Sequence, residues 1–542
     1  MNRSIAKSIF KYEKWMALAA LIFLIWSAIF IFRTSFIAVD CKRYFCLFDD
    51  AMISMRYAWN FSHGDGLVWN TGERVQGYTN LLMTLLMSFS TWMFDKSSAV
   101  LSIQIFGIGL ILGIAYTSMM ISDQISEEAG VSPAQQSTIR KLSFMLALAY
   151  YPLLYWSLMG METGLLSLLL CIAVLSAFRY RKNKISSCLV LTTVSLGLAY
   201  LTRNDSLIFA ILIWTFILWE SVQEKNLHRS FWLSLSLIGI YFLFVVGQSI
   251  FQYIYYGEVL PNTYILKLTN WPLLDRISNG MGFILPFLIQ ICLLLIPAII
   301  DTFFHFQKGK FLLLSITLAA IGYQVYVGGD PWNYWRMISP TIPILSILFL
   351  QALDSFVYSK SQMEGSTGKP LRNISTSTQV QWLAFIAVLV ANAYFLPEVL
   401  FIERPFYVSA NQHNTDIAIA LGEVTSDEAD LGVFWAGAIP YFAERTSVDF
   451  LGKSDRYIAQ LSPDLSGKVA GYGMRSLPGH NKYNLDYSIK KLQPTYIQGA
   501  KWGSQDVSEW AQARYLQVQY RGVDLTLLRN STEVDWHKLA AP

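Results

Sequence analysis

The feature that most restricts this sequence is its series of long apolar runs, of which residues 15–32 and 283–300 are two examples. Runs of roughly 18 residues or more match the thickness of a bilayer's hydrocarbon core. Water is absent there, so backbone N–H and C=O groups must pair within the run, and the run must be a helix. Composition agrees: 54% of the 542 residues are hydrophobic and only 14% are charged, against about 25% charged in soluble chains. The first run is longer than the apolar part of a secretory signal. No small-x-small cleavage pattern follows it before residues 34–41, so it reads as a retained span. The net charge of +4 gives no ground for nucleic-acid binding, and there is no internal repeat or low-complexity tract.

Charge placement sets an expected topology. Arg3, Lys7, Lys11 and Lys14 precede the first span, which puts the N-terminus in the cytoplasm by the positive-inside rule. Four later clusters should share that side: Arg179, Arg181, Lys182 and Lys184; Lys225, His228 and Arg229; Lys308 and Lys310; Lys360, Lys369 and Arg372. All four fall inside if residues 78–93, a short run broken by Thr84, Ser88, Ser90 and Thr91, form a juxtamembrane or re-entrant helix. This gives about eleven spans: the first run and residues 100–121, 141–158, 163–179, 186–202, 206–220, 231–254, 281–301, 311–328, 337–356 and 380–397. Segments 48–80, 159–164, 202–205, 255–276 and 328–336 then share the external face. The chain divides into a membrane domain, 1–397, with a large first external loop at 34–78, and a tail, 398–542. The tail has ordinary charge density and short alternating runs at 431–434 and 516–520. It is expected to be an external soluble α/β or α+β domain.

The five cysteines add little. Cys171, Cys188 and Cys292 lie in apolar runs as small core residues. Cys41 and Cys46 flank a polar stretch of the first loop, and a disulfide and two free thiols are both open readings.

The external loops hold the residues suited to chemistry. Asp49 and Asp50 are adjacent carboxylates whose repulsion should raise at least one pKa. That suits a general base or a metal ligand; the alternative is capping of a helix over 50–62. Arg56 and Arg74 suit a bidentate hold on phosphate, or balance the nearby acids. Trp69 and Tyr78 read first as interfacial aromatics and second as sugar-stacking rings. Glu162, Arg203 and Asp205, then Tyr256, Asn262 and Lys267, then Asp330 and Arg336 follow in the later loops. Ionisable residues at membrane depth are rare and usually functional or paired. Glu162 with Arg203, and Asp330 with Arg336, are candidate pairs.

These residues carry a resemblance. The stretch Asp49-Asp50-Ala51, Arg56-Tyr57-Ala58, Gly64-Asp65-Gly66-Leu67-Val68 and Gly72-Glu73-Arg74-Val75-Gln76-Gly77-Tyr78-Thr79-Asn80 resembles the first periplasmic loop of a GT-C glycosyltransferase group. The mycobacterial terminal arabinofuranosyltransferases belong to that group. Gly160-Met161-Glu162-Thr163, Thr202-Arg203-Asn204-Asp205, Tyr255-Tyr256-Gly257-Glu258, Pro261-Asn262-Thr263-Tyr264, Lys267 and Gly328-Gly329-Asp330 with Arg336 are similar in the same order. So are Ala436-Gly437-Ala438-Ile439-Pro440-Tyr441, Asp449, Leu451-Gly452 and Asp455 in the tail. Gln76, Asp65 and Asn204 depart from the group's usual Glu, His and Pro.

The resemblance implies a polytopic α-helical GT-C fold and a sugar transfer, with arabinofuranose one candidate sugar. The donor would be a polyprenyl-phosphate-linked sugar, and the acceptor an extracytoplasmic envelope glycan, glycolipid or glycoprotein. It implies Asp49 or Asp50 as base. Arg56, Arg74, Lys267 and Arg336, or a divalent metal ion, would meet the leaving phosphate. The setting would be a bacterial inner membrane, with the site and tail periplasmic. Three rivals remain: a transporter or flippase of lipid-linked sugar, which predicts charges buried within spans and repeated halves; a non-catalytic envelope-assembly protein; and a GT-C enzyme moving a hexose to protein or lipopolysaccharide.

Overall fold

In the computed structural model, residues 3–222, 227–332, 334–366, 376–467 and 474–540 are described. Lys225, Lys369 and Arg372 of the expected basic clusters lie outside them. The chain opens with α1 (Arg3–Thr34) and a short hairpin of β1 (Phe36–Ile37) and β2 (Arg43–Tyr44). The first loop then folds into α2 (Asp49–Ser62), and α3 (Leu81–Met93) follows. At thirteen residues, α3 is about 20 Å long, too short to cross a core of about 30 Å.

The membrane helices follow: α4 (Lys96–Glu128), α5 (Pro133–Ala147), α6 (Tyr151–Leu158), α7 (Thr163–Asn183) and α8 (Ser186–Thr202). After them come α9 (Leu207–Val222), α10 (Leu227–Tyr256), the short α11 (Asn262–Leu268), α12 (Leu273–Phe304) and α13 (Lys308–Val327). The last are α14 (Ile342–Ser366), α15 (Thr376–Ala391) and α16 (Leu396–Val399). Asp95 caps α4 by accepting from the Ser97 and Ser98 amides at 3.0 and 3.1 Å, which satisfies donors that a helix start leaves free.

Among the described residues eight helices are long and apolar enough to cross a membrane, nine if α15 and the short helices after it are counted as one bent span. Three of the about eleven expected spans are not among these, each for its own reason. Residues 141–158 are two helices, because Pro152 in the first turn of α6 has no N–H to continue α5. Residues 186–202 form a helix of 17 residues, about 26 Å. Residues 380–397 bend by 60°. Two of these breaks meet: Asn392 accepts from the Tyr151 amide at 2.9 Å and donates to the Ala149 carbonyl at 3.0 Å. One side chain thus satisfies backbone groups that the α5–α6 break exposes.

The tail is a sheet-containing domain. Helix α17 (Val408–Val424) leads into β3 (Asp430–Val433), α18 (Ala438–Ala443) and β4 (Thr446–Asp449). Strands β5 (Tyr496–Ile497), β6 (Tyr515–Tyr520) and β7 (Val523–Leu528) complete a sheet of order β4-β3-β5-β7-β6. β3 pairs in parallel with β4 and β5, and β7 runs antiparallel to β5 and β6. The alternating runs at 431–434 and 516–520 largely coincide with β3 and β6.

The two parts share cores. Ile53, Tyr57, Leu67, Trp69 and Tyr78 of the first loop pack with Ile417, Leu421, Leu431 and Ile439 of the tail. Trp69 and Tyr78 are therefore buried, 2% and 3% exposed, which corrects the interfacial reading. The Trp69 indole donates to the Ala436 carbonyl at 3.1 Å, a bond that removes any need to face the bilayer surface. Cys41 and Cys46 are free thiols.

Candidate active site

One cavity of about 130 Å³ lies where the first loop, the membrane helices and the tail meet. Each of the five loop segments singled out in the sequence contributes to it: Asp50 and Tyr78, Glu162, Arg203, Lys267, and Arg336. Lys453, Pro478, Gly479 and His480 of the tail close it.

The adjacent carboxylates at the start of α2 serve different neighbours. Successive helical residues point about 100° apart. Asp49 is buried, and its oxygens accept from the amides of Gly437 at 3.2 Å and Ala438 at 2.9 Å. It caps α18 rather than its own helix, whose cap position is Phe48. Burial pushes its carboxyl up to about 6, against the opposing charge of Lys453. Asp49 is not among the cavity-lining residues.

Asp50 is among them. Lys453 Nζ lies 2.6 Å from its Oδ1, and Arg336 Nη1 lies 2.7 Å from its Oδ2. Burial alone would raise the Asp50 pKa, but Lys453 and Arg336 outweigh it and hold the carboxyl well below the usual range. Asp50 is thus a carboxylate at neutral pH. Reciprocally, burial disfavours charge on Lys453, and Asp50 with Asp49 more than restores it.

Arg336 is itself braced, with Nε 2.9 Å and Nη2 3.0 Å from the two oxygens of Asp330. Asp330 follows Gly328 and Gly329, both at φ 88°, where a side chain is strained. A Cβ on Gly329 would also lie 2.7 Å from Phe283. This two-glycine turn off the end of α13 brings Asp330 beneath Arg336. Lys267 is held more loosely, 3.8 Å from Asp330, and burial lowers its pKa.

A second wall is polar. Ser54 donates to Asn80, Asn80 donates to Glu162 at 3.1 Å, and Arg203 Nη1 donates to Glu162 at 2.6 Å. Asp205 takes the other face of Arg203, with bonds of 2.9 Å from Nε and from Nη2. Both pairs suggested by the sequence are present.

Other candidates stand outside the cavity. Arg56 is buried and donates through Nε to the Trp69 carbonyl at 3.2 Å. Arg74 lies over the Tyr255 ring at 4.9 Å. Tyr256 donates to the Leu67 carbonyl at 2.7 Å. Asn262 donates to the carbonyls of Gly452, Lys453 and Asp455 at 2.9, 3.0 and 3.1 Å, which fixes the loop carrying Lys453.

Sequence reasoning missed Lys453 and His480. Lys453 had one signal, its place inside the Leu451-Gly452 to Asp455 segment; His480 had none.

Among the lining residues, Arg203, Lys267, Arg336 and Lys453 face Asp50 and Glu162. This cluster of cationic donors suits a phosphate; with Asp205 on Arg203 and Asp330 on Arg336 it is balanced by four carboxylates and is not in surplus. It does not suit a divalent metal ion: each lining carboxylate already holds a cation, and no three His, Cys, Asp or Glu side chains gather to hold a metal among the described residues. Ile53, Leu266, Leu268 and Val327 supply apolar lining beside the charges.

The architecture is a GT-C-like membrane fold with a sheet-containing C-terminal domain. ArnT from Cupriavidus metallidurans in its apo state aligns over 98% of this chain and 99% of its own, at TM-score 0.57 and 12% identity. ArnT from the same organism bound to undecaprenyl phosphate aligns over the same shares at 0.55 and 11%. The apo oligosaccharyltransferase of Archaeoglobus fulgidus covers 96% of this chain and 75% of its own, at 0.51 and 11%. Residues 404–536 match a family described as a domain of unknown function, DUF8728. No curated protein matches the sequence.

Proposed function

We propose that this chain is a membrane glycosyltransferase that moves a sugar from a polyprenyl-phosphate carrier to an envelope glycan, glycolipid or glycoprotein. The observation that carries this reading is Asp50, an ionised carboxylate in a cavity otherwise rich in Arg and Lys, at the junction of membrane helices and tail. The ArnT fold solved with undecaprenyl phosphate supports a carrier of that chemistry. Arabinofuranose, named by the first-loop resemblance, is the first sugar to test.

In this reading the acceptor oxygen bonds to the anomeric carbon while the bond from that carbon to the phosphate oxygen breaks. The electron pair leaves with the phosphate. Lys267, Arg336, Lys453 and Arg203 compensate the charge that develops there. The acceptor's proton passes to Asp50. Held at low pKa, Asp50 is a weak base for a free hydroxyl. It is adequate once the hydroxyl has begun to bond to an electron-poor, oxocarbenium-like carbon and has become acidic.

The proposed division into a membrane domain, 1–397, and an external domain, 398–542, follows the change from long apolar helices to the sheet. The proposed orientation places the N-terminus in the cytoplasm and the cavity in the periplasm of a bacterial inner membrane. Helix polarity supports it. Thr163 of α7 follows cavity-lining Glu162, and Arg181 and Lys182 sit at the other end, some 30 Å away. Likewise α13 begins at Lys308 and ends beside Gly329 of the cavity.

The test is transfer by the purified chain given a panel of polyprenyl-phosphate sugars and an acceptor extract, with Asp50→Asn beside it. Transfer or slow hydrolysis of one donor should fall at least about 100-fold in the variant. Equal donor binding by both proteins with no turnover would favour a carrier instead.

A further inference from the structure

His480 is 4% exposed and lines the cavity beside Lys453. Among the described residues no side chain bonds either ring nitrogen, and the Pro478 carbonyl is the one backbone group that acts on the ring as a hydrogen-bond acceptor. Buried polar groups without partners are costly and uncommon. The ring is oriented by packing instead: Trp332 meets it edge-on at 5.4 Å and 87°, and Trp435 lies 6.5 Å away. At least one nitrogen is therefore left for something that enters the cavity.

The loop that carries His480 is fixed. Asn279 of α12 accepts from the amides of Arg475 at 2.7 Å and Ser476 at 3.1 Å, and donates to the Ser476 carbonyl at 2.9 Å. Gly479, at φ +78°, lies against Lys267; a Cβ there would be 3.2 Å from Lys267 Cε. Burial and the charge of Lys453 push the imidazole down to about 3. It is neutral at physiological pH, with one nitrogen donating and the other accepting.

That chemistry matches a hydroxyl, which also donates and accepts, better than an anion. Four cationic side chains in the same cavity, Arg203, Lys267, Arg336 and Lys453, are the donors that suit an anion. We propose that His480 hydrogen-bonds the acceptor hydroxyl of the incoming sugar chain and orients it toward the donor. This assignment rests on the glycosyltransferase reading and specifies which wall of the cavity receives the acceptor: the tail's.

The test measures transfer product and free sugar in the same reaction, using the full chain and its working donor and acceptor. His480→Phe keeps a ring against Trp332 and removes both nitrogens. It should lower the ratio of transfer to hydrolysis by about tenfold or more. His480→Gln, which keeps a donor and an acceptor, should recover part of that ratio. A Phe variant with the wild-type ratio overturns the proposal, as does an equal fall of transfer and hydrolysis in both variants, which marks a packing or donor-binding role. A wild-type protein that turns over no donor rejects the glycosyltransferase reading itself, and the acceptor assignment with it.

Discussion

Lys453 Nζ lies 2.6 Å from Asp50 Oδ1, although 403 residues separate the two in the chain. The pair joins the tail to the first helix of the first loop at the wall of the cavity. Removing one member of such a buried pair leaves the other charge uncompensated, at a cost of several kcal/mol. The site and the docking of the tail are therefore not independent.

Lys267 is the lining cation with the weakest internal partner, 3.8 Å from Asp330, and its side chain keeps 28% exposure. Lys267→Gln should raise the KM for a polyprenyl-phosphate donor about tenfold, with the thermal midpoint unchanged or slightly higher. Steady-state kinetics across donor concentration check this. A lower kcat with unchanged KM would count against Lys267 as a phosphate contact.

Gly437 has no room for a side chain. A Cβ there would lie 2.0 Å from the Asp49 carbonyl oxygen and 2.8 Å from its Oδ1. Gly437→Ala should destabilise the docking of the tail by about 1–3 kcal/mol or more and reduce transfer. Gly422 of α17 meets nothing within 4 Å, so Gly422→Ala should be neutral or stabilising by up to about 1 kcal/mol. Thermal unfolding of the two variants side by side tests the contrast.

Asp49 gives stability a pH dependence with a definite sign. Its carboxyl titrates near 6 in the fold against 3.8 as an ordinary aspartate, because of burial. The folded chain therefore binds the proton more tightly than the unfolded one. The resulting stabilisation is full below about pH 4 and is lost as pH rises through 6, with an upper bound of order 3 kcal/mol. Asp49→Asn lacks this titration, so its stability relative to wild type should rise between pH 4 and pH 7. Parallel unfolding curves at pH 4.5 and 7.5 measure it; a pH-independent difference would contradict the assignment.

Asn262 acts through the loop it holds. Asn262→Ala frees the carbonyls of Gly452, Lys453 and Asp455 and should lower kcat about tenfold, with KM for the donor changed much less. A variant impaired only in stability, with normal kcat, would show that the clamp is not needed to position Lys453.

Asp50, Glu162, Arg203, Lys267 and Arg336 were legible in the sequence because ionisable residues stand out in an apolar chain. Lys453 and His480 were hidden by the opposite circumstance: in a tail of ordinary charge density, one lysine and one histidine carry no signal. The different neighbours of Asp49 and Asp50 depend on helix phase against a partner some 390 residues away, which no local pattern encodes. The expected spans that miss a length-and-hydropathy criterion are those that a proline or a bend divides, at 141–158 and 380–397, and the short one at 186–202, since hydropathy registers composition and not continuity or length.

The Asn262 clamp, the Asp49 cap and the Lys453–Asp50 pair also set an order of events during synthesis. The membrane helices emerge from the ribosome long before residues 437–480, so the early chain lacks both the Lys453 ammonium and the His480 imidazole. A half-made molecule inserted in the membrane would hold a cavity with no closing wall. Competence would then arrive late and all at once, when the last-made part settles on the first-made loop.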